Sequence, residues 1–293
     1  MTKVALIGFG EVGQIIAEDL PAEAEISVFD LLFAAKDSIP SRALTGHRVR
    51  AAANAADAAR GADLVICAVT AAETLDAARA TTPGVRGATY IDLNSASPGA
   101  KRAAGAVIEA AGGRYVEAAV MTSYPTKRIA SPMLLGGPHA QAFLDRFGGL
   151  GFSATVFSEE IGKASATKMC RSVMIKGVEA LLAESMLTAR ANGVEDAVLA
   201  SLGDLLPSDN WHKLAQYMIS RSLQHGKRRA EEMREAARTV AEADIAPLMS
   251  EAIAARQDWA ATQKDALAEG ELERMLDAIL KTLKEAPIGK LSA

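Results

Sequence analysis

The chain has 293 residues, a length that favours two domains over one. Hydrophobic residues make up 49% of it and charged residues 23%, the balance of a globular protein with a large apolar interior, so extensive disorder is not expected. The net charge of −4 provides no broad positive field for a polyanion. Nucleic acid is therefore not an expected partner.

The cysteines and the first residues indicate a reducing compartment. Cys67 lies in an apolar, strand-like run and Cys170 in a helical pattern, so no disulfide framework is expected. The first apolar run, Val4–Ile7, is far shorter than a membrane span and lacks a cleavage-site pattern. We expect a cytoplasmic protein with no membrane partner.

The first half of the chain alternates short apolar runs with amphipathic segments, a rhythm typical of βα units and a mostly parallel sheet. Glycine and proline occur at the joints, where the chain must turn. Strands are predicted at Lys3–Phe9, Glu25–Asp30, Arg48–Ala52, Asp63–Val69, Thr89–Leu93, Arg114–Ala119, Met133–Leu135 and Ala154–Phe157. Helices are predicted at Glu11–Leu20, Thr74–Ala80, Pro98–Ala111 and Pro138–Phe147.

The second half has a different pattern. A helical pattern runs from Gly162 to Asn192 and is closed by Gly193, a residue that accepts the left-handed conformation at a helix end. Beyond it, roughly four further helices are predicted and strand signals vanish. The predicted fold class is α/β: a Rossmann-type, mostly parallel sheet domain at residues 1–160, a long interdomain helix, and an all-α substrate and dimerisation domain at residues 161–293.

A glycine motif follows the first predicted strand and opens the first predicted helix, as in dinucleotide-binding folds. Gly8 permits the tight turn, Gly10 leaves room for a pyrophosphate, and Gly13 lets helix and strand pack closely. The alternative is a glycine-rich turn that binds no ligand. The predicted cofactor loop consists of Gly8, Phe9, Gly10, Glu11, Val12 and Gly13.

Asp30 ends the second predicted strand, where a Rossmann fold places an acid on the adenosine ribose hydroxyls. A carboxylate there repels a 2′-phosphate, which favours NAD over NADP, although Lys36 and Arg42 are near enough in sequence to soften the preference. Ligands of open parallel sheets bind beyond the carboxyl ends of the strands. The same crevice is therefore predicted to include Val69, Thr70, Asn94 and Ser95.

Three motifs in order make the chain resemble the β-hydroxyacid dehydrogenase superfamily, which includes 6-phosphogluconate dehydrogenase. They are Ile7–Gly13, Asp92–Pro98 and Gly162–Lys168, and they extend over much of the chain. Within the superfamily, the chain is most similar to the phosphogluconate-dehydrogenase-like oxidoreductases. The resemblance implies a nicotinamide cofactor and a dehydrogenase acting on CH–OH groups.

The resemblance also implies roles for single residues. In such enzymes the segment matching Asp92–Pro98 binds substrate and cofactor, and a helix lysine, here Lys168, is the acid/base. Asn94 stands where a serine is usual, Ser95 where a threonine is usual, and Ser172 where an asparagine is expected.

The chain also departs from the family pattern at the turn that binds the substrate carboxylate. Where many relatives carry Ser-Gly-Gly, this chain has Met121-Thr122-Ser123, so Thr122 and Ser123 are the expected substrate contacts. Ser172 and Lys176 follow Lys168 at spacings of four on the long helix and are predicted to share its side and to contact substrate. The alternative for these helix residues is an ordinary solvated surface.

The segment His225–Arg229 is the concentrated basic cluster of the sequence. Arg228 or Arg229 could form a fork for a substrate carboxylate or phosphate. The alternative is a solvated helix start whose cations pair with nearby glutamates, namely Glu231, Glu232 and Glu235.

Taken together, these features predict a homodimeric, NAD-dependent dehydrogenase with a small anionic substrate and no metal site. Lys168 is the predicted acid/base, with hydride exchanged between the cofactor and the hydroxyl-bearing carbon of a β-hydroxy acid or related alcohol. Two alternatives stay open. One is an imine or carbonyl reductase on the same scaffold, and the other is a non-enzymatic NAD-binding sensor.

Overall fold

A computed structural model describes residues 1–202 and 210–285. The chain divides into two compact units, Met1–Cys170 and Arg171–Ala293. The domain boundary predicted at 160/161 lies ten residues before this division, which falls inside the longest helix of the first two hundred residues. Residues 203–209 and 286–293 of the predicted helical domain lie outside the described residues.

The first unit contains an eight-stranded sheet in the order β3-β2-β1-β4-β5-β6-β7-β8. Neighbouring strands pair in parallel except β6 with β7, so the predicted mostly parallel α/β sheet is confirmed. The strands are β1 (Lys3–Ile7), β2 (Glu25–Phe29), β3 (Arg50–Ala51), β4 (Leu64–Cys67), β5 (Thr89–Asp92), β6 (Arg114–Val120), β7 (Met133–Gly136) and β8 (Ala154–Ser158). Each predicted strand overlaps one of them: β1 to β5 are shorter than their predicted ranges, and β6, β7 and β8 each extend one residue further.

Helices flank these strands. They are α1 (Glu11–Asp19), α2 (Ile39–Ala43), α3 (Ala55–Ala59), α4 (Thr74–Thr81), α5 (Pro98–Ala110), α6 (Tyr124–Lys127) and α7 (Ala140–Phe147). Alternate residues of the buried strands face opposite sides of the sheet and form two apolar layers. Leu6 and Ile66 belong to one layer, and Ala5 and Val65 to the other.

The long helix α8 (Lys163–Asn192) extends from the first unit into the second. Gly162 precedes it with a φ of +106° and Gly193 follows it with a φ of +69°, so left-handed glycines bound it at both ends. The second unit continues with α9 (Glu195–Leu202), α10 (Trp211–Ala241), α11 (Leu248–Ala261) and α12 (Leu272–Glu285). The predicted all-helical second half is confirmed for the part of the chain that the structure describes.

The core of the second unit is made of aliphatic and methionine side chains from its helices, including Met186, Ile219, Leu223 and Leu276. Helix α10 approaches α11 closely at Gly226, where a Cβ atom would lie 2.4 Å from the backbone oxygen of Gln257. At the preceding residue, His225, the backbone leaves helical geometry (φ −120°, ψ 15°), so α10 is two helical segments joined by a break.

Candidate active site

The carboxyl ends of β1, β4, β5 and β6 lie at one edge of the sheet, because these strands are parallel. The loops that follow them begin at Gly8, Ala68, Leu93 and Met121. Most of the predicted site residues of the first unit lie in these loops. This edge is where open parallel sheets bind ligands.

The glycine loop has the geometry that a pyrophosphate requires. Gly8 has a φ of +95°, and a Cβ there would lie 2.3 Å from the carbonyl oxygen of Ala68. A Cβ at Gly13 would lie 2.2 Å from the oxygen of Gly8, whereas one at Gly10 would meet nothing within 4 Å. Gly8 and Gly13 are thus fixed by close packing, and Gly10 borders open space at the start of α1. The loop fits a dinucleotide phosphate.

The remaining loop residues differ in what they offer a ligand. The ring of Phe9 is fully buried and packs edge-on against Phe33 and His47, so this residue presents only its backbone. Glu11 is exposed in the first turn of α1, and Val12 is half-buried.

Asp30 lies directly beside the glycine loop. Its Oδ2 accepts a hydrogen bond from the backbone N–H of Phe9 at 2.7 Å, and its Oδ1 accepts one from Leu32 N–H at 2.8 Å. The carboxylate therefore ties the end of β2 to the loop after β1. Lys36 and Arg42 are exposed in the following segment.

Asn94 connects the loops after β4 and β5. Its Oδ1 accepts a hydrogen bond from Val69 N–H at 2.7 Å, and its Nδ2 donates to the Cys67 sulfur at 3.4 Å. The Asn94 side chain is buried, while Thr70, at the start of the next turn, is exposed. Burial raises the pKa of the Cys67 thiol to about 12, so it stays neutral. Cys170, in contrast, is exposed.

Asp92, to which the resemblance assigns a ligand contact, is completely buried at the end of β5. Its Oδ1 lies 2.8 Å from Lys101 Nζ, and its Oδ2 accepts a hydrogen bond from Tyr115 Oη at 2.7 Å. Oδ1 also accepts from the backbone N–H of Asn94 at 2.9 Å. The structure thus places Asp92 beneath the site loop, where it holds the loop and does not line the crevice.

Ser95 and Lys168 meet although 73 residues separate them. Lys168 Nζ donates a hydrogen bond to Ser95 Oγ at 2.6 Å, and both residues are half-buried. Both lie in the first unit, so the contact is internal to it. An amine beside a hydroxyl at this edge can exchange a proton with a bound alcohol or carbonyl.

The start of α8 packs on Glu117, a residue that belongs to none of the three sequence motifs. This fully buried carboxylate accepts hydrogen bonds from the backbone N–H groups of Gly162 (2.8 Å), Ala164 (2.8 Å) and Ser165 (3.3 Å), and from Ser165 Oγ (3.2 Å). Lys168 follows one turn later. The signal in the sequence is a single acid inside an apolar strand.

Thr122 and Ser123 lie between β6 and α6 at the same edge, Thr122 exposed and Ser123 half-buried. The segment after them is anchored by Arg128, whose guanidinium donates to Asp19 at 2.8 Å and to Glu18 at 2.7 Å. Arg128 has a φ of +54°, a left-handed conformation that a non-glycine residue adopts at a cost.

Ser172 and Lys176 belong to the second unit and are buried there. Lys176 Nζ donates to Ser172 Oγ at 3.2 Å and forms an ion pair with Glu232 of α10. The ammonium of Lys176 therefore has protein partners on both α8 and α10.

The basic cluster matches neither sequence-based alternative fully. Arg229 is buried and makes a bidentate ion pair with Glu179 of α8, with one N–O distance of 2.7 Å. Burial raises the pKa of Glu179 to about 6, outweighing the attraction of Arg229. Glu232, an expected partner of the cluster, forms an ion pair with Lys176 of α8. Lys227 and Arg228 are exposed, as the solvated alternative predicts, but the cluster lies within α10, at its break, and not at the helix start, and Arg229 is buried.

Two features are absent from the described residues, namely a membrane-spanning helix and a cluster of metal ligands. Among residues 1–202 and 210–285, no helix combines the length and apolarity needed to cross a bilayer. Across the same ranges, no three His, Cys, Asp or Glu side chains converge as metal ligands would.

The chain matches two families of protein domains. Residues 3–144 match the NAD binding domain of 6-phosphogluconate dehydrogenase. Residues 189–260 match a domain of unknown function, DUF1932. The first unit is thus a nicotinamide-cofactor domain, as the glycine loop indicates.

Two solved structures share about a third of its sequence. A conserved hypothetical protein from Sinorhizobium meliloti 1021 is 34% identical, with 96% of each chain covered and a TM-score of 0.75. The conserved protein MTH1747, described as structurally similar to 3-hydroxyacid dehydrogenases, is 34% identical, with 88% of this chain and 96% of that chain covered and a TM-score of 0.70.

More distant structures share the fold alone. They include the 3-hydroxyisobutyrate dehydrogenase of Mycobacterium tuberculosis, at 17% identity over 97% of this chain and 99% of that one with a TM-score of 0.70. An imine reductase from Streptomyces aurantiacus is 16% identical over 95% and 99% of the two chains, with a TM-score of 0.55.

Together, the fold, the glycine loop and these similarities define a nicotinamide-dependent oxidoreductase scaffold. The chain belongs to the β-hydroxyacid dehydrogenase superfamily that includes 6-phosphogluconate dehydrogenase, which confirms the resemblance of its three motifs.

Proposed function

We propose that the chain is an NAD-dependent dehydrogenase of a β-hydroxy acid or related anionic alcohol, with Lys168 as its acid/base. The observation that supports this most is the 2.6 Å contact between Lys168 Nζ and Ser95 Oγ at the sheet edge that carries the glycine loop. A proton-transferring amine and a hydroxyl that can orient a substrate are thereby brought together.

The proposed cofactor contacts are the glycine loop, Asp30, Val69, Thr70 and Asn94. When bound, a nicotinamide ring supplies the acceptor or donor of a hydride. In the oxidative direction the neutral amine of Lys168 takes the proton of the substrate hydroxyl as its carbon loses hydride and the C=O bond forms. In the reductive direction the ammonium of Lys168 returns that proton to the oxygen.

The anionic end of the substrate requires further contacts. We assign Ser95 and Asn94 to the reacting end and Thr122 and Ser123 to the carboxylate. Ser172 and Lys176 are proposed as additional contacts because of the family resemblance and because they follow Lys168 at successive spacings of four.

A paired substitution tests the proposal. Lys168→Met should keep NADH binding but lower turnover by roughly 10²–10⁴-fold, because proton transfer is lost while the glycine loop is untouched. Lys163→Met is the matched control: this lysine lies on the same helix, and its side chain is 58% exposed beside Glu160. The substrate is found by following NADH formation across hydroxy acids, sugar acids, their phosphates and hydroxy amino acids.

The result also separates the alternatives. Turnover in Lys168→Met within a few-fold of wild type would remove Lys168 from the reaction. Reduction of imines without any alcohol oxidation would instead favour an imine reductase. Turnover of any substrate excludes a pure NAD sensor.

We further propose that NAD is preferred over NADP, because the Asp30 carboxylate would repel a 2′-phosphate. NADH should bind at least about tenfold, or ~1.4 kcal/mol, more tightly than NADPH. Calorimetry on wild type and on Asp30→Ala should show the difference and its loss. The exposed Asp37, replaced by Asn, is the control. Equal affinities in the wild type would point to Lys36 or Arg42 as the group that sets cofactor choice.

We also propose a cytoplasmic homodimer. The second unit carries an apolar groove of about 850 Å³ formed by α8, α11 and α12. Large apolar side chains such as Leu181 and Met249 are exposed along it. An exposed apolar face of this kind is usually covered in an assembly. Light scattering at micromolar concentration should give twice the chain mass, and the mass of a single chain would contradict the proposal.

A further inference from the structure

Two buried carboxylates lie side by side in the middle of the sheet. Asp92 of β5 and Glu117 of β6 are register partners on adjacent parallel strands, and both are fully buried. Burying a carboxylate is costly unless hydrogen bonds or a counter-charge compensate, so two neighbouring ones require a specific arrangement.

The two carboxylates are compensated in different ways. Asp92 has the ammonium of Lys101 at 2.8 Å. Glu117 faces the beginning of α8, where three backbone N–H groups and the Ser165 hydroxyl donate to it. The amino end of a helix carries partial positive charge, which suits an anion at this position.

Neighbouring residues leave room for this arrangement. A Cβ at Gly136 of β7 would lie 2.6 Å from Glu117 Oε1. The strand next to β6 therefore has no side chain at the position where the Glu117 carboxylate lies. Gly162 adopts its positive φ just before α8, which turns its N–H toward Glu117 Oε2 at 2.8 Å.

Each carboxylate accepts a hydrogen bond from the backbone of a segment that carries one partner of the contact between Ser95 and Lys168. Asp92 accepts from Asn94 N–H, one residue before Ser95. Glu117 accepts from Ser165 N–H, three residues before Lys168. The pairing of β5 with β6 therefore helps to fix the positions of the Ser95 hydroxyl and the Lys168 amine, because each strand holds the segment that carries one of them.

We propose that Asp92 and Glu117 are a pair of positioning residues that set the Lys168 Nζ to Ser95 Oγ contact. Their importance for catalysis rests on the proposed function of Lys168, but the positioning itself does not. An apolar pair of similar volume would fill the same space, yet it would leave the first N–H groups of α8 without acceptors and the site loop without its anchor.

The test replaces Glu117 by Gln, which keeps the shape but turns one oxygen into a donor. At least one donor of the helix start then loses its acceptor, and the first turn of α8 should open more often. The readout is the rate at which acetic anhydride modifies Lys168 relative to Lys163, resolved by peptide mass spectrometry on the full chain. We expect this ratio to rise at least about fivefold in Glu117→Gln.

Two further variants separate positioning from general stability. Leu64→Ala removes a fully buried side chain at the amino end of β4, the end of the strand opposite the site edge. It should lower stability while leaving the labelling ratio within about twofold of wild type. Ser165→Ala removes one of the four donors to Glu117, and it should raise the ratio by about twofold even if Glu117→Gln does not fold.

The outcomes are distinct. An unchanged ratio in Glu117→Gln, or in Ser165→Ala if that is the only folded variant, would overturn the positioning role. The same holds if Leu64→Ala raises the ratio as much as the Glu117 variant does. Because labelling needs no substrate, a raised ratio together with full turnover in Lys168→Met would preserve the positioning and refute the proposed function.

Discussion

Replacing Lys101 by Met should be among the most damaging single changes to the first unit. Both side chains of the Lys101–Asp92 pair are 1% exposed, and Lys101 Nζ also donates to the Asp92 backbone oxygen at 2.9 Å. Removing one partner of a buried ion pair typically costs about 3–5 kcal/mol. Asp92 keeps its bonds from Tyr115 and Asn94, so the lower end, about 3 kcal/mol, is expected.

A double variant checks the physical reason. Asp92→Asn combined with Lys101→Met removes both charges, so no unpaired ion is buried and about half of the lost stability should return. Hydrogen exchange of peptides covering β5 measures the first unit. Both tryptophans, Trp211 and Trp259, lie in the second unit, so their fluorescence is an internal control that should not change.

Two results would contradict this expectation. A loss below about 1 kcal/mol in Lys101→Met would mean that Asp92 is stabilised without its counter-ion. A double variant less stable than the single one would mean that shape and hydrogen bonding, and not charge, dominate at this position.

Three more predictions follow from the backbone and from one histidine. Gly10→Ala should weaken NADH binding, measured by calorimetry, with little loss of stability. Gly13→Ala should lower both NADH affinity and stability to urea, because its Cβ would lie 2.2 Å from the backbone oxygen of Gly8. Gly226→Ala should destabilise the second unit by about 2 kcal/mol or more, seen by tryptophan fluorescence. Burial is the main cause, and nearby cations are the second cause, of the lowering of the pKa of His225 to about 4. Between pH 6.5 and 5 the unfolded histidine takes up a proton that the folded one does not, so acidification over this range should destabilise the wild type more than His225→Gln, by about 1 kcal/mol after solvent screening of this partly exposed group. Equal pH dependence of the two proteins would contradict this.

The sequence predicts the parts of the site that depend on neighbours along the chain. The glycine loop is one such part, since a strand, three glycines and a helix follow one another within Lys3–Asp19. The apolar periodicity of α8 and its closing Gly193 are another. The short helices α2, α3 and α6 are missed because four or five residues carry too little periodicity to be recognised.

The sequence does not predict partners that only the folded chain brings together. Glu117 and Gly162 are 45 residues apart, and nothing in either segment indicates the other. The burial of Arg229 cannot be predicted from the sequence for the same reason, because its partner Glu179 lies 50 residues earlier, on α8. A run of basic residues is normally exposed to solvent. Only the packing of α8 with α10 decides which residue of the run is buried.

The contrast between the two cysteines makes the unmodified chain convenient to study. The Cys67 thiol is buried and stays protonated, so alkylating reagents should ignore it in the folded protein. Cys170 is exposed two residues after Lys168. A single fluorophore or spin label can therefore be attached to α8, two residues from the proposed acid/base, without any engineered residue. Because residues two apart do not share a helix face, the label would follow the motion of α8 without occupying the side that carries Lys168.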